Sequence, residues 1–212
     1  MREYKQLLLA NKAWATELVE EKADFFERQT AGQKPDFLWI GCSDSRVTPE
    51  RMTMTPPGGM FLHRNIANLV HDDDLNLLSV VQYAVDVLKV RHVILCGHHG
   101  CGGVQAALSG GTTGPVDTWL GNARDVLHRH RAEIDAEPTE EGKINRLVEL
   151  NVRDQLMHLA RIDIIQNAFR EGRELWLHGW VYDMRDGHIK TLMEIDAGTE
   201  LSTVGNPDKV LV

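Results

Sequence analysis

Two short segments gather side chains that can bind a metal ion: CSDSR at residues 42–46 and GHHGCGG at residues 97–103. His98 and Cys101 are separated by two residues, and the glycines around them let the backbone turn sharply. One imidazole and one thiolate do not make a zinc site, so a third ligand must come from elsewhere in the chain. Cys42 offers a second thiolate, and this ligand set suits Zn²⁺ with a fourth position left over.

Two neighbouring residues compete for roles in this site. His99 is an alternative to His98 as the imidazole ligand, but His98 directly follows Gly97 at the end of an apolar run, which favours His98. Cys96 lies inside that run and is expected to be a buried core residue. A total of three cysteines argues against a disulfide framework.

Asp44 and Arg46 lie on the same side of the segment if it is extended. Asp44 can then accept a hydrogen bond from a zinc-bound hydroxide, while Arg46 keeps Asp44 ionised through a bidentate pair. Asp44 can instead become the fourth zinc ligand, which would close the site. Both roles of Asp44 remain open from the sequence.

Apolar strands that alternate with helices must position these residues. The pattern predicts an α/β fold with a mostly parallel central β-sheet flanked by helices, and such sheets place their sites at the carboxyl ends of strands. Strands are predicted at 36–42, 60–65 and 91–97, followed by a strand pair at 174–182 and 188–196. Helices are predicted at 3–29, 71–90 (beginning at the Asp cluster 72–74), 101–108, 116–134 and 143–171.

Length, composition and charge limit the number of domains and the kinds of partner that we expect. The chain has 212 residues, of which 42% are hydrophobic, and we expect a single domain over 1–212 with an N-terminal helical arm over 1–30. A net charge of −8 argues against a nucleic-acid partner. The sequence has no apolar run of membrane-spanning length and no signal-peptide pattern at its start, so we expect no membrane partner and a cytoplasmic location.

The two motifs at 42–46 and 97–103 together resemble the β-class carbonic anhydrases, and the resemblance continues through GWVYDMRDG at 179–187. It implies reversible hydration of CO2 to bicarbonate and a proton by a zinc-bound hydroxide, with one Zn²⁺ per subunit. The implied zinc ligands are Cys42, His98 and Cys101, beside an Asp44–Arg46 dyad. The resemblance also implies a homodimer, often paired into a tetramer, with the 1–30 arm packed on the partner subunit.

The resemblance further implies residues that bind substrate. Gln33 would reach across the dimer interface, an apolar wall would lie where CO2 binds, and the backbone of a glycine pair would line the substrate. The wall residues are Phe61, Ile66 and Tyr83, and the glycine pair is Gly102 and Gly103.

A finer resemblance is to the bicarbonate-regulated (type II) subtype of the family. There, Trp39, Arg64 and Tyr182 would form a second, non-catalytic bicarbonate pocket. Filling this pocket would favour release of Asp44 from Arg46 and its binding to zinc. Trp39 and Tyr182 can also be read as ordinary core aromatics, and Arg64 as a structural ion-pair residue.

Two rival functions stay open. The first is hydrolysis of carbonyl sulfide or carbon disulfide on the same fold. The second is a non-enzymatic zinc or bicarbonate-sensing domain in which Asp44 permanently fills the fourth zinc position. A structural zinc site has no need of Arg46 two residues beyond Asp44, which favours the enzyme.

Overall fold

A computed structural model of the chain describes residues 2–210, which fall into two compact units, Met1–Lys34 and Pro35–Val212. The first unit holds helices α1 (Glu3–Glu21) and α2 (Phe25–Thr30), joined where Lys22 leaves helical geometry. The prediction of one helix over 3–29 is therefore wrong. Trp14 packs edge-on against both Phe25 and Phe26, which holds the two helices together.

The second unit is built on a five-stranded sheet in the order β2-β1-β3-β4-β5. The first four strands in this order run parallel and β5 is antiparallel to β4. This confirms the predicted α/β class with a mostly parallel sheet. The strands are β1 (Phe37–Cys42), β2 (Met60–Asn65), β3 (His92–His98), β4 (Trp176–Asp183) and β5 (His188–Ile195).

Helices flank this sheet, and several are shorter than the sequence predicts. The predicted helix at 143–171 divides at Ile162, whose backbone is extended, and the predicted helix at 116–134 divides at Leu120 and His130. The Asp74 side chain caps the helix expected after the Asp cluster by accepting a hydrogen bond from the Asn76 amide. The helices are α3 (Pro49–Met52), α4 (Leu75–Gln82, continued by a π-helical segment Tyr83–Leu88), α5 (Gly102–Ser109), α6 (Gly114–Trp119), α7 (Gly121–Arg129), α8 (Arg131–Asp135), α9 (Glu140–Arg161) and α10 (Asp163–Arg170).

Helix α9 lies directly against β3 and β4, and two glycines permit the close approach. A Cβ atom on Gly97 would lie 2.7 Å from Val152 Cγ2, and one on Gly179 would lie 3.3 Å from Val152 Cγ1. Larger side chains at these positions would push the helix off the sheet. The contact holds α9 in a fixed position against the carboxyl end of β3, where the segment GHHGCGG at 97–103 begins.

The opposite face of the sheet carries an aromatic cluster. Trp39, Ile94 and Cys96 are buried there, and Trp180 and Tyr182 cover them in part. The expectation that Cys96 is a core residue is confirmed, and burial raises the pKa of its thiol. No helix between residues 2 and 210 is both long and apolar enough to cross a membrane.

Candidate active site

The carboxyl ends of neighbouring strands β1 and β3 bring three potential metal ligands together. Cys42 ends β1, His98 ends β3, and Cys101 directly precedes α5. Their ligand atoms all lie within 4.8 Å of one another, and all three side chains are buried. Cys42, His98 and Cys101 are together called the metal-binding group. Among the described residues, no other cluster of His, Cys, Asp and Glu side chains meets this spacing.

The two cysteines have the spacing of thiolates bound to one zinc ion. Their Sγ atoms lie 3.8 Å apart. Two sulfurs at zinc–sulfur bond length in a tetrahedral site would also lie about 3.8 Å apart. The hydrogen bond between the two thiols lowers the pKa of Cys42 and raises the pKa of Cys101.

The His98 imidazole is oriented for metal binding. Its Nδ1 lies 3.1 Å from the backbone oxygen of His99, which can only accept, so Nδ1 carries the proton. Its Nε2 is buried and makes no hydrogen bond to the part of the chain that the structure describes. A buried imidazole nitrogen without a hydrogen bond, beside two thiols, fits a zinc ligand.

The structure favours His98 over His99 for this role. The His99 ring turns away from the thiols and lies between two buried carboxylates, with Nε2 3.2 Å from Glu149 Oε1 and Nδ1 3.5 Å from Asp183 Oδ2. It is absent from the metal-binding group. Two adjacent histidines therefore have separate surroundings.

Asp44 is held beside the metal-binding group by Arg46. Arg46 donates to Asp44 Oδ1 from Nε at 2.9 Å and to Oδ2 from Nη2 at 2.7 Å, and its backbone N–H donates to Oδ1 at 3.0 Å. This pairing holds the pKa of Asp44 well below its usual range, so the carboxylate accepts hydrogen bonds and does not donate them at neutral pH. Asp44 Oδ2 lies 3.8 Å from His98 Nε2, and in this conformation the carboxylate stays outside the group of metal-binding atoms.

Comparison with known proteins identifies the family of the chain. Residues 37–189 match the family described as carbonic anhydrase. A carbonic anhydrase of Emericella nidulans is 41% identical over 189 residues, which cover 89% of this chain and 83% of that protein.

The chain belongs to the β-class carbonic anhydrase family.

Solved structures of the family share the fold. One from the filamentous ascomycete Sordaria macrospora, described as a tetrameric beta-carbonic anhydrase, superposes with a TM-score of 0.89 at 40% identity, covering 92% of this chain and all of that one. The beta-carbonic anhydrase of Coccomyxa, solved with acetazolamide, gives a TM-score of 0.88 at 34% identity, covering 92% and 89% of the two chains. The protein is thus a carbonate dehydratase, and the β-class carbonic anhydrases are zinc enzymes.

Three of the residues that the resemblance assigns to substrate lie beside the metal-binding group. Gly102 and Gly103 begin α5, directly after Cys101. A Cβ on Gly103 would lie 2.7 Å from Ile66 Cγ2, so the glycine lets Ile66 approach the start of the helix. Trp119 donates from its indole N–H to the Ile66 carbonyl at 2.8 Å and fixes this segment.

Phe61 and Tyr83 form a separate pair. Their rings stack at 5.8 Å, and Phe61 pairs in the sheet with Leu38, four residues before Cys42. Four residues of strand span about 13 Å, so these rings lie well below the metal-binding edge of their own chain. Gln33 lies in the first unit, Met1–Lys34.

The three residues expected to bind regulatory bicarbonate occupy one face of the sheet. The register places Arg64 opposite Gly41, and Trp39 and Tyr182 belong to the aromatic cluster on that face. Within residues 2–210 the buried Trp39 indole N–H has no hydrogen-bond partner. Arg64 donates to the carbonyl of Cys42 at 2.9 Å and to that of Asp44 at 2.6 Å, and these bonds link it to the segment that carries the dyad.

The sequence interpretation missed a set of buried polar residues on α9 that reach the site. Asn145 accepts from the Gly100 N–H at 2.9 Å, Glu149 contacts His99, and Asn151 donates to the Ala67 carbonyl at 3.0 Å. Each of the three side chains is at most 1% exposed. The signal that could have found them is their position among Leu147, Val148 and Val152 on the helix predicted over 143–171.

Proposed function

We propose that Cys42, His98 and Cys101 hold one Zn²⁺ per subunit and that CO2 is hydrated at this site. One observation carries the assignment: two thiol sulfurs 3.8 Å apart face a buried imidazole nitrogen that makes no hydrogen bond to the described chain. Two thiolates and one imidazole are ligands that zinc prefers, and they leave a fourth position for water or substrate.

Asp44 orients the reacting water in this proposal. Zinc, when bound, supplies a Lewis acid that makes a water molecule nucleophilic near neutral pH. Because Asp44 is ionised and accepts hydrogen bonds only, a proton of this water would point to its carboxylate and a lone pair would face CO2. Arg46 keeps Asp44 ionised and fixes its two oxygens, while Ile66 and the glycines at 102 and 103 border the space left for a small apolar substrate.

We propose a homodimer, with tetramers formed from pairs of dimers, as the working assembly. Helix α1 contains no buried residue, and Leu7 and Leu8 are 73% and 66% exposed, which suits an arm that packs on a partner subunit. Phe61 pairs with Leu38, about 13 Å along the strand from Cys42, and Tyr83 stacks on Phe61, so neither ring lies beside the metal-binding group of its own chain. In this assembly they, like Gln33, would serve the site of the partner subunit.

We place the enzyme in the cytoplasm. Its three cysteines are free thiols, and two of them lie close enough to oxidise when zinc is absent. A reducing compartment keeps such a thiol pair available for zinc.

Stopped-flow CO2 hydration, with zinc quantified on the same sample, tests the proposed function. We expect turnover that rises in proportion to bound zinc, up to one zinc per subunit, and that is lost with a chelator and restored by Zn²⁺. Zinc-loaded protein without CO2 hydration would contradict the proposal. If the same sample hydrolysed carbonyl sulfide, the rival enzyme would be favoured.

We further propose that bicarbonate inhibits the enzyme by binding beside Trp39, Arg64 and Tyr182. Arg64 supplies the cation. The indole N–H of Trp39, which has no hydrogen-bond partner in the described part of the chain, and the hydroxyl of Tyr182 supply donors to an oxyanion. Bicarbonate that draws the Arg64 guanidinium away from the Asp44 carbonyl would remove a hydrogen bond that fixes the backbone of residues 42–46. Asp44 would then leave Arg46 and take the fourth zinc position, which closes the site.

Wild-type enzyme should be inhibited by bicarbonate at mildly acidic pH, and Trp39→Val should weaken that inhibition because it removes one donor. Trp176→Val is the matched control. Trp176 is the first residue of β4, at the end of the strand far from Tyr182, and its ring stacks on His92. Initial rates of CO2 hydration at increasing bicarbonate concentration give the inhibition constants. Equal inhibition constants in Trp39→Val and wild type would refute the pocket.

A further inference from the structure

The peptide unit between His99 and Gly100 is hydrogen-bonded on both sides. Its carbonyl oxygen, from His99, accepts from His98 Nδ1 at 3.1 Å. Its N–H, from Gly100, donates to Asn145 Oδ1 at 2.9 Å. Because a peptide unit is planar and rigid, an atom that holds its N–H also sets the direction of its carbonyl oxygen.

Without the hydrogen bond from the Gly100 N–H to Asn145, this peptide unit would be free to rotate. Gly100 has φ +67°, and a glycine moves between positive and negative φ at little cost. A rotated peptide would take the carbonyl away from His98 Nδ1. The proton could then move to Nε2, and His98 would present an N–H to the two thiols where a zinc ligand needs a lone pair.

Asn145 is well placed to prevent this rotation. Its side chain is 1% exposed, and it lies on α9, which Val148 and Val152 hold against Gly97 at the end of β3. The amide oxygen of Asn145 is therefore fixed to the same strand end that carries His98.

We propose that Asn145 is a positioning residue for the zinc site. Through the His99–Gly100 peptide unit it fixes the Nδ1-protonated tautomer and the ring orientation of His98, so that Nε2 faces the metal. This inference rests on the proposed function, because it takes His98 as a zinc ligand. Partners that orient metal-bound histidines in this way typically change metal affinity about 10–100-fold when removed.

Two variants of similar shape separate the hydrogen bond from simple packing. Asn145→Leu removes the acceptor, and we expect its zinc dissociation constant, measured by competition with a chromophoric chelator, to rise about 10–100-fold. Asn145→Asp keeps an acceptor for the Gly100 N–H, and its constant should stay within a few-fold of wild type. Asn122→Leu is the control, since Asn122 on α7 bonds to the Val70 carbonyl outside the metal-binding group and should leave the constant unchanged.

The histidine tautomer in zinc-free protein gives a readout that does not depend on metal or activity. Two-bond ¹H–¹⁵N correlation spectra should show His98 protonated on Nδ1 in wild type and in Asn145→Asp. In Asn145→Leu the signals should indicate a mixture of tautomers. Asn145→Ala, which also lacks the acceptor, serves the same purpose if Asn145→Leu does not fold.

The outcomes are distinguishable. Wild-type zinc affinity and a single Nδ1 tautomer in Asn145→Leu would overturn the positioning role while leaving the zinc site intact. An equal loss of affinity in the Leu and Asp variants would show a packing role and would also overturn it. A wild-type protein that binds no zinc would instead overturn the proposed function.

Discussion

Cys42→Ser, His98→Ala and Cys101→Ser should each lose stoichiometric zinc and CO2 hydration together. Each substitution removes one of three buried ligand atoms that lie within 4.8 Å of one another. We expect zinc affinity to fall by more than about 100-fold, because loss of a group that only orients a ligand already costs about 10–100-fold. Elemental analysis of dialysed protein and stopped-flow hydration of CO2 on the same samples measure both effects.

Cys96→Ala is the matched control for the two cysteine variants. Cys96 is equally buried, but it lies on the aromatic face of the sheet and outside the metal-binding group. It should keep one zinc per subunit and wild-type turnover. Full zinc occupancy in all three ligand variants would show that the metal binds elsewhere.

Asp44→Asn should keep zinc and lose most of the activity. The amide has the shape of the carboxylate, but it has no charge to pair with Arg46, and its NH2 group can donate where Asp44 only accepts. We expect the rate of CO2 hydration to fall about 10²- to 10⁴-fold, the range typical of a lost group that handles a proton. Rate against CO2 concentration, with zinc measured in parallel, separates a loss of turnover from a loss of metal.

The chain contains a close structural control for this variant. Asp183 and Arg185 repeat the Asp44–Arg46 geometry, with hydrogen bonds of 3.0 Å from the Arg185 backbone N–H, 3.0 Å from Nε and 2.7 Å from Nη2. This second pair faces His99 and not the thiols. Asp183→Asn should lower stability and leave the turnover of the folded enzyme near wild type. Unimpaired hydration by Asp44→Asn would remove Asp44 from the mechanism.

The metal-binding segments and the sheet were predictable because their signals are local. Strands β1 and β3 are buried on both faces of a parallel sheet, so they read as continuous apolar runs that end at Cys42 and His98. The carboxyl ends of neighbouring parallel strands meet at one edge, which is why two motifs about fifty residues apart could be expected to form one site.

Helix boundaries were less predictable. The break between α1 and α2 at Lys22 and the break at Ile162 contain no glycine or proline, and the apolar pattern continues across both. The stacked pair of Phe61 and Tyr83 shows the same limit at the site. Both are aromatic, and only the register of β2, which places Phe61 opposite Leu38, shows that Phe61 and the Tyr83 ring stacked on it lie away from the metal-binding edge.

The sequence by itself determined which residue types stand at which strand ends, and it thereby predicted a two-thiolate, one-imidazole zinc site beside an Asp–Arg pair. Only the tertiary structure showed which buried side chains surround the two adjacent histidines. Asn145 accepts from the Gly100 N–H and Glu149 contacts His99, and both lie some fifty residues further along the chain on a helix packed against Gly97. Such contacts arise from packing between distant segments, and no local periodicity or spacing encodes them.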